Sequence, residues 1–340
     1  MMRRLIPAVM LILLAAPLRA QMPDSVSAHL DSALLLLQQK SLYYKQVNWP
    51  ETRAMAFGKA ASATTRKETF DAIAAAFARL NDRHGFFMQY GQRYRLPDSA
   101  LAARLSDSLK AEWAGGWKIR TAMLGKVAYF RMPNINAFDQ AKVNAFANQL
   151  YDSVASLAAR HPDSWIIDLR RNAGGNIRPM MAALAPFFRN GIVAWDLDRD
   201  NRVLGYSGFK NGDYVSNDTL IEAAVLRKIR GFPRVKVAVI IGPGTGSSGE
   251  GVAAALKDRK RTRLFGEPTA GFTNATEGFL FNNGNSYFLL TTSQVGRRNK
   301  RPVPDTILPD IPIRNNDHFN NLDTDNAVRA ALKWLKQPGR

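Results

Sequence analysis

Ser247 stands where a serine is built to react. It follows the branched run Val235 to Ile241 and the glycines Gly242, Gly244 and Gly246, and it opens a helix that reads Ser247 to Lys257. The first N–H groups of a helix lack intrahelical acceptors and carry positive partial charge, so an oxyanion beside Ser247 would be stabilised there. Such a serine also needs a base to take its proton and a group to orient that base. The choice of base is narrow, because the chain holds four histidines. His29 lies on an early amphipathic helix, His161 ends a long helix before Pro162, and His318 approaches the last helix; all three read as structural residues of the surface. His84 differs. It sits in LNDRHGFF, Leu80 to Phe87, beside a glycine that lets the backbone approach closely, although taken alone a packed or capping histidine explains it better. A second glycine turn, DLRRNAGGN at Asp168 to Asn176, follows a buried strand and offers N–H groups at Gly174 and Gly175. An ordinary tight turn has the same composition.

The elements around these turns alternate. Asp24 to Tyr44 and Thr65 to Leu80 carry helical spacing of apolar residues, so two or three helices lead the chain, followed by a short helix at Leu101 to Lys110. Lys126 to Met132 reads as a strand, Phe138 to Arg160 as a helix, Trp165 to Leu169 as a buried strand and Pro179 to Arg189 as a helix. A polar, hairpin-rich insertion from Trp195 to Thr219 precedes the strand Val235 to Ile241 and the helix behind Ser247. After the strand Thr262 to Glu267, a hairpin turns at Asn283-Gly284, and an amphipathic helix, Asp323 to Lys336, closes the chain. Repeated strand–helix alternation predicts an α/β layer structure. The expected organisation is a signal segment over residues 1–20, a helical region over 21–120, a core over 121–315 and a C-terminal helix over 316–340.

The compartment is read from the start of the chain. Arg3 and Arg4 precede the apolar run Leu5 to Leu18, and Ala20 supplies a small residue for cleavage, which reads as a secretory signal rather than a membrane span; an uncleaved anchor is the alternative. A periplasmic or secreted protein is expected. With no cysteine there are no disulfides, no thiol chemistry and no lipid on a processed N-terminal cysteine. The net charge of +19 becomes +16 once Arg3, Arg4 and Arg19 leave. The basic runs at Arg227 to Lys236, Lys257 to Arg263 and Gly296 to Pro302 read as a solvated face, with contact to an anionic envelope surface as a second use. No aromatic interleaving or nucleic-acid motif accompanies them, so no nucleic-acid partner is expected.

Taken in order, LNDRHGFF, DLRRNAGGN, GTGSSGEGVA, GEPTAG and LPDIPI resemble the tail-specific or C-terminal-processing serine peptidases, peptidase family 41 of the serine class, over Leu80 to Ile313. The strongest marks of that family are a DLRxNxGG strand end and an SxSE-like serine at a helix start, here DLRRNAGG and SSGE. The resemblance makes Ser247, three residues before Glu250, the nucleophile rather than Ser248. Many members use a lysine twenty-five residues further on, where this chain has Phe272. A tricorn-core-like branch uses serine, histidine and a late glutamate instead, with the histidine in a DxH element matched here by Asp82-Arg83-His84. The corresponding acid is offered as Asp305, ahead of Pro309-Asp310 and one methylene shorter.

What the resemblance implies is acyl transfer: His84 takes the proton of Ser247 and later returns it to the leaving amine, while Asp305 orients the imidazole. The N–H of Ser248 and that of Gly174 or Gly175 would hold the oxyanion. Glu250 would be structural at the helix start, and Asp168 would tie down its turn. The implied fold is a crotonase-like ββα spiral, with a peptide or unfolded protein held as an added strand and no cofactor or metal. Roughly forty residues between His84 and Lys126 are too few for the PDZ module that several members carry. Two other readings stand beside this one. Gly244, Gly246 and Gly249 spell GxGxxG with Glu267 downstream, the mark of a dinucleotide-binding oxidoreductase. An inactive relative that binds an apolar ligand or a peptide would keep the same motifs.

Overall fold

Three helices lead the chain, α1 (Asp24–Lys40), α2 (Trp49–Lys59) and α3 (Phe70–Ala78). The computed structural model describes residues 22–314 and 317–337, so the expected signal segment lies outside the described residues. Helix α1 buries Val26, Leu30, Leu34 and Leu37, the spacing that places side chains on one face. Helix α2 lacks so regular a stripe and starts instead from its ends: the Asn48 side chain accepts from Glu51 N–H, and Pro50 occupies the first turn. The three helices share one apolar cluster with Phe87, Phe288 and Leu290, so they pack directly on the sheet beyond them.

A hairpin follows, β1 (Phe86–Gln89) and β2 (Gln92–Tyr94), then α4 (Ser99–Arg104) and α5 (Asp107–Ala114), capped by Asp98 and Ser106. The alternation expected from the sequence then appears as β3 (Arg120–Leu124), β4 (Val127–Arg131), α6 (Gln140–Ala158), β5 (Ser164–Asp168) and α7 (Ile177–Ala183). Helix α7 ends before the predicted Arg189. Pro186 has no N–H to give, and the chain passes into a 3₁₀ turn at Ala185–Phe187. Strands β6 (Gly191–Leu197), β7 (Val203–Lys210), β8 (Asp213–Ser216) and β9 (Leu220–Ile221) form the polar insertion as a meander. Then come β10 (Lys236–Ile241), α8 (Ser248–Lys257), β11 (Thr262–Gly266), β12 (Ala275–Phe281), β13 (Ser286–Gly296), β14 (Ile311–Pro312) and α9 (Asn326–Leu335).

The strands make two sheets. One runs β14-β11-β10-β5-β4-β3, with every neighbour parallel except the β3–β4 hairpin. Its strands β4, β5 and β10 are buried along their whole length, because α6, α7 and α8 cover one face and α9 the other, which explains their unbroken apolar runs. The second sheet is antiparallel, ordered β2-β1-β13-β6-β7-β8-β9, with β12 also paired to β13. The chain is thus a mixed α/β protein.

Two surface expectations are corrected. His29 is 5% exposed, stacks on Phe281 with ring centres 5.5 Å apart and lies 3.3 Å from Gln89 Nε2. Burial first, then the charge of Arg66, lowers its pKa to about 4. The basic runs are likewise partly interior. Arg259 is buried and donates to the carbonyls of Phe187, Pro233, Val235 and Lys260, and Lys236 Nζ donates to those of Trp334 and Gln337. These cations supply donors to loop and helix-end carbonyls. Among the described residues, no helix is long and apolar enough to cross a membrane.

Candidate active site

Neighbouring parallel strands β5 and β10 end side by side, Ile240 opposite Asp168, and deliver both glycine turns to one edge of the sheet. The turns are bonded to each other. Gly246 N–H donates to Asn172 O (3.0 Å), Thr245 Oγ1 to Leu169 O (2.9 Å) and Ser248 Oγ to Gly175 O (2.6 Å). Their closeness sets the glycines: a Cβ on Gly174, whose φ is 111°, would stand 2.6 Å from Ser247 Cβ, and one on Gly249 would stand 2.4 Å from Asn172 O. The GxGxxG glycines therefore face the opposite turn. That space is filled by Asn172 and its neighbours, so the dinucleotide reading of the loop is set aside.

Ser247 precedes the helix rather than opening it. Helix α8 starts at Ser248, and Ser247 is its N-cap residue at φ 50°, ψ −121°. A residue with a Cβ reaches that conformation only when its surroundings hold it there. The holder is Glu250, which is wholly buried. Its Oε2 accepts from the N–H groups of Ser247 (2.9 Å) and Phe272 (2.7 Å), and its Oε1 from Gly271 N–H (2.8 Å) and Thr269 Oγ1. Burial pushes Glu250 up to about 7, with the four donors pulling against it. The structural part expected of Glu250 is thus visible: one carboxylate joins the serine turn to the GEPTAGF loop.

The N–H groups near Ser247 are not equivalent. Gly174 N–H is already bonded to Asn172 Oδ1 at 3.1 Å. Among the described residues, the N–H groups of Ser248 and Gly175 have no acceptor, and the Ser248 hydroxyl holds the two segments together. Asp168 is buried at the strand end. Burial alone would raise its pKa, but Arg170, bonded to both its oxygens, and Arg131 bring it to about 2. Tyr129 OH donates to it as well, at 2.6 Å. It ties down the turn, as expected.

His84 arrives from the other side, on the approach to β1. Asp82 fixes its backbone: Oδ1 accepts from the N–H groups of His84 (3.1 Å) and Gly85 (2.9 Å), and Oδ2 from Thr291 N–H on β13 (2.8 Å). The imidazole stacks on Phe272, the residue at the family's lysine position, with ring centres 5.2 Å apart. Burial lowers its pKa to about 4; Asp82 and the Asn274 carbonyl act upward and Arg95 downward. The ring is therefore neutral, and able to accept a proton, throughout the physiological range.

His84 and Ser247 line one groove of about 1150 Å³, together with Gly175, Ser248, Phe272 and the edge of β12. His84 also lines a smaller cleft of about 220 Å³ that contains Asp305. Asp305 itself accepts from Asn274 Nδ2 at 2.8 Å. Among the described residues no hydrogen bond joins it to His84, whose Nδ1 is buried without a partner. The structure thus brings Ser247, Ser248, Gly175 and His84 to one groove and puts Asp305 on the smaller cleft that His84 also lines. Sequence reasoning missed Asn172 and Asn274. Asn172 lies within the DLRRNAGG motif, but a turn asparagine is expected from any tight turn; nothing marked Asn274.

A strained serine, unbonded N–H groups beside it and a neutral imidazole on the same groove are the parts that acyl transfer to a serine requires. The chain belongs to peptidase family S41, whose family model matches residues 126–313. Membership of a peptidase family implies a peptide or protein substrate. It is 23% identical over 314 residues to a nisin-resistance protein of Lactococcus lactis subsp. lactis, covering 92% of this chain and 88% of that one. Among solved structures it resembles a lipoprotein from Streptococcus agalactiae, with TM-score 0.67, 20% identity and coverage of 93% and 97%. It also resembles a photosystem II D1 C-terminal processing protease, with TM-score 0.58, 15% identity and coverage of 90% and 97%.

Proposed function

We propose that the protein is an exported serine endopeptidase with Ser247 as nucleophile and His84 as general base. His84 takes the Ser247 proton as Oγ attacks a peptide carbonyl, the oxyanion is held by the N–H groups of Ser248 and Gly175, and the protonated imidazole then releases the amine. Water reverses the sequence on the acyl-enzyme. Of the two glycines read from the sequence, Gly175 takes the oxyanion role here, because Gly174 N–H is bonded to Asn172. Asp305 is assigned the orienting role through the cleft it shares with His84. The observation that carries the reading is the held, strained Ser247 on the groove that also contains a neutral His84.

The finer architecture belongs to the same proposal. The β4–α6–β5 and β10–α8–β11 units support a crotonase-like ββα spiral, with a signal segment at 1–20, a helical region at 21–120 carrying His84, a peptidase core at 121–315 and a closing helix from 316 to 340. A periplasmic or secreted location follows from that segment and is supported by the lipoprotein relative.

The test is cleavage of casein by the mature protein beside Ser247→Ala and His84→Ala, with fragments followed by mass spectrometry. Because a relative spanning most of the chain is named for nisin resistance, nisin belongs in the same assay. Cleavage lost in both variants is expected. Equal inertness of all three folded proteins would refute the peptidase and favour a peptide- or apolar-ligand-binding relative.

A further inference from the structure

Two arginines beside the groove have no ion-pair partner among the described residues. Arg93, on β2, and Arg95, just after it, both line the groove that holds Ser247. The Arg93 guanidinium lies 4.1 Å from the centre of the Phe86 ring, and that of Arg95 lies 5.6 Å from the centre of Phe272, the ring stacked on His84. Arg95 also donates to the Arg83 carbonyl at 3.2 Å. Among the described residues, neither guanidinium is ion-paired; the neighbouring Asp98 is held by Arg83 at 3.0 Å. Loss of solvent first, and then the charge of Arg93, lower the pKa of Arg95 against the upward pull of Asp98 and Asp82.

One further arginine, Arg178, lines the groove. Arg178 lies 3.8 Å from Glu222 and donates to Gln140 and Asn176, so its charge is answered. Asp196 also lines the groove. The unanswered positive charge therefore sits beside His84 and Phe272. In acyl transfer the base hands its proton to the departing amine, so the departing half of a substrate runs past the imidazole, while the acyl half lies at Ser248 and Gly175. Resting on the peptidase reading, we propose that Arg93 and Arg95 form a carboxylate-binding subsite for the departing half of the peptide. The carboxylate is an acidic side chain or the free C-terminus, within a few residues of the cleaved bond. Guanidinium groups suit this role because their planar fork matches a carboxylate, and an anion between them relieves their mutual repulsion.

The test uses internally quenched peptides of one sequence, with Asp or Asn in the departing half and a free or amidated C-terminus. The expected result is a preference of about five- to tenfold in kcat/KM for the acid-bearing peptides, reduced by added salt. The ratio should collapse toward one in the Arg93→Gln/Arg95→Gln double variant. A gain carried by Asp alone assigns the site to a side chain, and a gain carried by the free terminus alone assigns it to a chain end. Equal rates on all four peptides, or a preference that survives in the double variant, would overturn the proposal. Binding of the same peptides to Ser247→Ala protein by fluorescence anisotropy separates the two readings. A protein that cleaves none of them loses its assignment as a peptidase, whereas the subsite stands or falls on whether the acidic peptides bind more tightly.

Discussion

Replacing Glu250 by glutamine removes one acceptor from a carboxylate that serves four donors, and the geometry says which donor suffers. The introduced side-chain amide can sit either way round. With its NH₂ at the Oε1 position it faces Thr269, whose hydroxyl can turn and accept, and Gly271 N–H, which cannot. Its oxygen then keeps Ser247 N–H and Phe272 N–H. The cost is one buried N–H left unpaired, about 1–3 kcal/mol, whereas Glu250→Ala orphans all four donors and should cost at least about 4 kcal/mol. Burial raises Glu250 above its ordinary value of 4.5 to about 7. The Glu250 share of wild-type stability is therefore lost as pH rises through that window and the glutamine variant lacks that share, so the difference between the two proteins, in which other titrating groups cancel, should be largest near pH 5 and narrow by pH 8. Urea unfolding at both pH values measures this, and kcat/KM reports whether Ser247 keeps its strained backbone. A cost below about 0.5 kcal/mol for Glu250→Ala, the level of an ordinary surface change, would refute the clamp.

Three further outcomes follow from named groups. His84 must be neutral to act as a base, so the acid limb of kcat/KM should fall through about pH 4 rather than 6.5; a midpoint near 6.5 in a pH–rate profile would show that the imidazole is not desolvated as described. His29 is also held below its unfolded value. The unfolded chain takes up its proton first, so the His29 share of stability should drop by about 3 kcal/mol as pH falls from 6.5 to 4; the urea-derived difference between wild type and His29→Phe, which keeps the stack on Phe281 and in which the shares of His84 and Glu250 cancel, should shift by that amount in favour of the variant. Gly174→Ala puts a methyl group against Ser247 at a backbone angle alanine resists, so kcat/KM should fall by about a hundredfold or more even where circular dichroism shows a folded protein.

Much of the fold was legible because periodicity and burial agree. The runs that became β4, β5 and β10 are branched and unbroken since both faces are covered, and Asn283-Gly284 turned the β12–β13 hairpin with positive φ at both residues. What stayed hidden depends on distant partners. Helix α2 rests on a cap rather than a stripe, His29 sits on a stripe that proved to be buried, and Arg259 lies in a basic run but satisfies carbonyls from three segments. At the site, the motifs pointed to Ser247, His84 and both glycines. Which glycine keeps a free N–H is decided by the Asn172 side chain, and the Asn274–Asp305 bond spans thirty-one residues of sequence; neither leaves a local signal.

The serine and the histidine ride on different apolar clusters. His84 follows helices whose side chains pack with Phe288 and Leu290, whereas Ser247 rises from the parallel sheet and its covering helices. Asp82 bonds to Thr291 on β13, the strand whose Phe288 and Leu290 belong to the first cluster. A half-folded chain owns both residues but not their meeting place. On the proposed assignment of Ser247 and His84, hydrolysis would therefore be a property of the finished molecule alone, and the unfinished one would be harmless to itself and to its neighbours.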